Sequence, residues 1–81
     1  MKSKSAVEQN LISILEDAIK SEIDSEEKYL RAAEMAFDTR IKDFFLSLAQ
    51  MERQHKEQLT RQLAELSAQM AVVGEMNEMF L

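Results

Sequence analysis

Apolar residues recur along this chain at steps of three or four, the spacing of one face of an α-helix. A first stripe runs Val7, Leu11, Ile14, Ala18, Glu22, Ser25, Tyr29, Ala33, Ala36. A second row, Ile12, Leu15, Ile19, Ile23, Leu30, Phe37, is expected to widen the same buried surface. A third stripe runs Ile41, Phe45, Leu48, Glu52, His55, Leu59, Leu63, Leu66, Met70. The registers do not join across Asp38-Thr39, and aspartate is a favoured N-cap type. The pattern predicts helix 1 from about Ala6 to Phe37, helix 2 from about Thr39 to Val73, and a short apolar tail over Gly74 to Leu81. Glu16 with Lys20, Glu27 with Arg31 and Glu57 with Arg61 stand four apart and add helix-supporting pairs.

Composition agrees with an all-α chain. Charged residues make up 31% of the 81 positions and aromatics only 6%, a balance suited to amphipathic helices and unsuited to a sheet. Eighty-one residues form at most one small domain, so residues 1–81 are taken as one helical hairpin. With no cysteine, disulfides, thiolate zinc sites, iron–sulfur clusters and cysteine nucleophiles are excluded. The basic start, Met1-Lys-Ser-Lys-Ser, leads into no signal-peptide core, and no stretch resembles a membrane span, so a cytoplasmic protein is expected. A net charge of −5 disfavours nucleic acid and mildly favours cations.

Besides the small Ser25, three polar residues interrupt the apolar stripes: Glu22 in helix 1, and Glu52 and His55 in helix 2. His55 is the chain's one histidine. An unpaired carboxylate in a core costs several kcal/mol, so such positions require a partner. A metal ion accepts a carboxylate oxygen and an imidazole nitrogen from the same helix face. In a hairpin turning at Asp38, Glu22 lies 16 residues before the turn, and Glu52 and His55 lie 14 and 17 after it. At a rise of 1.5 Å per residue, all three sit roughly 21–26 Å from the turn, in one layer.

A single hairpin completes neither a core nor such a site. Its broad apolar faces need more cover than one neighbour supplies, and pairing two hairpins into an antiparallel four-helix bundle provides it. Pairing also collects two copies of Glu22 and two of Glu52-x-x-His55, the ligand set of ferritin-like di-iron and di-manganese sites. Four carboxylates with neutral imidazoles balance two divalent ions, and oxygen-rich mixed ligation suits iron or manganese.

The stretches Glu22-Ile-Asp-Ser-Glu-Glu-Lys-Tyr29 and Leu48-Ala-Gln-Met-Glu52-Arg-Gln-His55 resemble the rubrerythrin branch of the ferritin-like superfamily. The resemblance spans about residues 18–60. It implies that Glu22 is the bridging or terminal carboxylate of helix 1, Glu52 the bridging carboxylate of helix 2, His55 a terminal ligand, and Tyr29 a hydrogen-bond donor to a ligand carboxylate. Typical rubrerythrins carry two such hairpins and a cysteine-ligated module; this chain has one hairpin and no cysteine. The half-length architecture is more similar to the encapsulated ferritins, whose iron site forms across a dimer interface. That similarity implies a ferroxidase: Fe(II), two per dimer, oxidised by O2 or peroxide for storage or detoxification.

Several residues carry an ordinary alternative. The buried Glu and His could instead fix register in a metal-free hairpin serving as an interaction module. Glu26, one turn from Glu22, is the candidate for an additional ligand within an otherwise solvated acidic face. Methionines 35, 51 and 70 read as core filler. The tail from Gly74 could cap the bundle, join dimers, or dock the protein into an encapsulating shell.

Overall fold

The computed structural model describes residues 4–80, with side chains described for residues 6–69. It is an antiparallel hairpin of two helices, α1 (Lys4–Met35) and α2 (Thr39–Phe80). The chain is all-α, as the spacing of apolar residues requires.

The turn is three residues long and contains neither glycine nor proline. Helix α1 ends at Met35, two residues earlier than its apolar periodicity suggests. The Ala36 amide donates to the Ala33 carbonyl at 3.3 Å, tightening the last turn to a three-residue step. Phe37 and Asp38 then reverse the chain. Asp38 caps α2 as expected: its Oδ1 accepts the Arg40 amide at 2.8 Å, and its carbonyl accepts the Lys42 amide at 2.9 Å. A cap needs a non-helical backbone, so helix 1 must unwind before Asp38 rather than at it.

At its other end, α2 does not stop at Val73 but continues through Gly74 to Phe80. An interior glycine weakens a helix by about 1 kcal/mol relative to alanine. It terminates one where the backbone turns left-handed, and no described glycine does so.

The seam is thin. Among the described residues only Ile12, Ala33 and Ala49 are buried. Ala33 and Ala49 bring the two backbones close, and the Tyr29 and Phe45 rings stack across the seam with centroids 6.4 Å apart. Phe37 and Ile23, from the row expected to be buried, are instead exposed. Phe37 lies in the turn rather than in α1, and Ile23 sits at the edge of the face that α2 covers.

The hairpin exposes far more surface than its mass needs. Its accessible surface is 6608 Å² for 9.4 kDa, against about 5,000 Å² for a compact monomer of that mass. Its radius of gyration is 18.5 Å, against about 12 Å for a globular chain of this length.

Six of the ten exposed large apolar side chains among the described residues share a face. Placing residues at roughly 100° intervals puts Val7, Leu11 and Ile14 of α1 and Ile41, Phe44 and Met51 of α2 on the same side of the hairpin as Glu22 and His55. These six side chains are between 44% and 62% exposed. One long face therefore carries both the apolar excess and the polar interruptions.

Candidate metal centre

Glu22 reaches this face from the middle of α1, while Glu52 and His55 reach it from one turn of α2. Three residues apart on a helix, Glu52 and His55 are neighbours on its surface. One ligand atom from each of Glu22, Glu52 and His55 lies within 4.8 Å of the others. The layer calculated from distance to the turn is thus present in the fold. Side chains lean towards the N-terminus of their own helix, so those of α1 and α2 converge from opposite directions.

His55 Nδ1 lies 3.9 Å from Glu22 Oε2, too far for a hydrogen bond. Glu22 Oε2 is itself buried and has no hydrogen-bond partner. A buried carboxylate oxygen left unpaired normally costs 1–3 kcal/mol or more, by a general rule of about that size. A cation would satisfy it. Bonds of about 2.0–2.2 Å place two ligands of one ion at most about 4.4 Å apart, so the cluster closes on an ion with a small side-chain movement. Two carboxylates and one imidazole, with no sulfur, suit iron or manganese. They are three donors only, fewer than a six-coordinate ion takes, and His55 is half exposed towards the open face.

Glu26 is placed differently. Its Oε1 accepts from Arg53 Nε at 3.4 Å and Nη2 at 3.3 Å. Its Oε2 lies 3.9 Å from Lys56 Nζ and has no hydrogen-bond partner. Glu26 is thus held on the inner side of the seam by two cations and stands outside the group formed by Glu22, Glu52 and His55. Arg53 and Lys56 escaped the sequence reading. The signal was their three-residue spacing on α2, facing Glu26 and directly following the two ligand candidates.

Tyr29 sits on the ligand face, between Glu22 and the turn, with its ring on Phe45. Its hydroxyl makes no hydrogen bond to a candidate ligand within one chain.

No helix among the described residues is long and apolar enough to cross a membrane. No curated protein and no solved structure matches the chain significantly. The Rubrerythrin family matches over residues 2–71, a span that includes all of the candidate ligands. The chain therefore belongs to the rubrerythrin family of the ferritin-like superfamily.

Proposed function

We propose that two copies of this hairpin pair through the face bearing Glu22, Glu52 and His55, and that the joined site oxidises Fe(II). The observation that carries this reading is the coincidence of two deficits on one face. Three metal donors with an unpartnered carboxylate oxygen lie among six half-exposed apolar side chains. A second copy supplies three more donors and removes the apolar surface from water. The excess of about 1,600 Å² per chain over a compact monomer is in the range that stable dimers bury.

In this reading Fe(II) is the substrate, two ions per dimer. Each loses one electron. O2 takes up the two electrons with two protons to give hydrogen peroxide, or peroxide takes them up with two protons to give two waters. Glu22 and Glu52 supply anionic oxygens whose attraction grows with the charge on the ion, which favours the oxidised product. His55 contributes a neutral nitrogen and keeps the ligand charge from exceeding that of two divalent ions. The Tyr29–Phe45 ring pair bounds the site on the side of the turn. Manganese fits the same donors, and the alternative of a metal-free interaction hairpin predicts no metal dependence at all. Cytoplasmic residence is a further part of this proposal.

Anaerobic Fe(II) titration of the parent and of Glu52→Ala, with sedimentation of each, tests the reading. The expected result is saturation near two ions per dimer in the parent and loss of tight binding in the variant. A stable monomer, or unchanged binding in Glu52→Ala, would overturn it.

A further inference from the structure

An apolar groove opens on the site face, on the far side of Glu22, Glu52 and His55 from the turn. Leu11, Ile14 and Leu15 of α1 and Leu66 of α2 line it, with Gln62 and Glu65 beside them, and its volume is about 330 Å³. An aliphatic cavity of about 150 Å³ is enough to hold a benzene ring. Leu11 and Ile14 remain about half exposed in this groove. Near the turn the same face carries a projection. Ile41 and Phe44, three residues apart on α2, are 51% and 59% exposed. The Phe44 ring meets Phe45 edge to face with centroids 5.6 Å apart, and Phe45 is in turn stacked on Tyr29. The exposed ring is thus braced from the seam and loses little freedom on being covered.

Projection and groove lie at matching distances on either side of the site. Counted from Asp38, Glu22, Glu52 and His55 stand 14 to 17 residues away, Ile41 and Phe44 stand 3 and 6, and Leu11, Ile14, Leu15 and Leu66 stand 23 to 28. At 1.5 Å per residue, the projection is about 15–20 Å from the site layer and the groove about 11–18 Å.

We infer that Ile41 and Phe44 of one copy seat in the groove of a second copy, and that two such contacts clamp the shared site from both ends. This rests on the paired-hairpin reading above. A face-to-face pair with its site layers in register has its two-fold axis in the plane of the interface, along the helices or across them. The axis along the helices sets groove against groove and projection against projection, which encloses a void on one side of the site. The axis across the helices exchanges the two sides of the site layer, so each projection meets a groove. Both apolar sets then leave water together, on the face that carries the chain's apolar excess.

The chain has no native cysteine, so a cross-link reads the contact directly. Phe44→Cys is combined with Gln62→Cys in one variant, and Ile41→Cys with Leu66→Cys in another, and each is oxidised as a dilute dimer. Within one chain the paired positions are 18 and 25 residues apart on one helix, about 27 and 38 Å, so a disulfide must join two chains. The expected result is a covalent dimer as the main product of at least one pair, with Phe44→Cys alone remaining uncross-linked. Charge gives a second readout. Phe44→Glu should weaken the dimer by more than about tenfold in sedimentation, and adding Gln62→Lys to the same chain should recover part of the loss. A dimer that binds Fe(II) but links through neither pair, or that links through Phe44→Cys alone, would overturn the groove contact while leaving the shared site standing. Undiminished pairing of Phe44→Glu would do the same. A monomer at all concentrations would overturn both.

Discussion

Glu22 Oε2 and His55 Nδ1 approach to 3.9 Å from different helices without bonding, and the glutamate oxygen is buried with no other partner. A buried carboxylate oxygen left without a partner is costly to a protein that gains nothing from it. The pairing of Glu22 with His55 across the seam, level with Glu52, is the geometry expected of a site completed by a cation.

In the proposed symmetric dimer, each ligand substitution removes two donors. His55→Ala should therefore lower Fe(II) affinity by well over about tenfold, a loss of more than about 1.4 kcal/mol. Circular dichroism should remain helical, because a half-exposed side chain contributes little to the seam. Anaerobic titration followed by calorimetry checks the affinity, and far-ultraviolet spectra of the same samples check the fold. Affinity within a factor of about two of the parent would remove His55 from the site.

In the proposed dimer without metal, four carboxylates meet in a poorly hydrated layer, where like charges repel. Glu22→Gln and Glu52→Gln keep the shape and remove charge, so each should raise the melting temperature of the metal-free protein. Each should also reduce the stabilisation that Fe(II) or Mn(II) gives the parent by mass action. Melting curves with chelator and with metal under anaerobic conditions decide the matter. If both substitutions lower metal-free stability and the parent ignores metal, the residues form a satisfied polar core instead.

The apolar face makes a separate prediction. Ile14 is 62% exposed in one chain and lies on the site side. Ile14→Glu should leave a lone hairpin largely unaffected but place two uncompensated carboxylates in the dimer, at several kcal/mol by general transfer costs. Sedimentation should show dissociation, with Fe(II) oxidation falling in parallel. A variant that remains a fully active dimer would place the interface elsewhere.

Glu26 offers a test of restraint. Held by Arg53 and Lys56, it should serve the register of the seam rather than the metal. Since Arg53 is half exposed, Glu26→Gln should cost on the order of 0.5 kcal/mol in a urea melt. Fe(II) stoichiometry should remain unchanged. A loss of bound iron equal to that in Glu52→Ala would return Glu26 to the ligand set.

Asp38 tests the turn alone. Its side chain holds the Arg40 amide, so Asp38→Ala should destabilise α2 by about 1 kcal/mol without affecting metal stoichiometry. Parallel melting and titration would detect a failure of either half.

The local physics of the sequence alone determined the helices, the capped turn at Asp38, and the common layer of Glu22, Glu52 and His55. Helical spacing and a constant rise per residue convert sequence number directly into face and height, so no tertiary contact was needed to place those three residues together. The end of α1 at Met35 was hidden because no glycine or proline marks it, and the cap forces the unwinding upstream. The end of α2 was hidden because Gly74 permits a stop without imposing one. Only the packed hairpin decided how Glu26 is used. Periodicity places it one turn from Glu22, but rotation of α1 against α2 turns it inward to Arg53 and Lys56. The same rotation decided which apolar residues are covered. One neighbouring helix shields a narrow arc, so Ile12, Ala33 and Ala49 are buried while Val7, Leu11, Ile14 and Phe44 remain in contact with water.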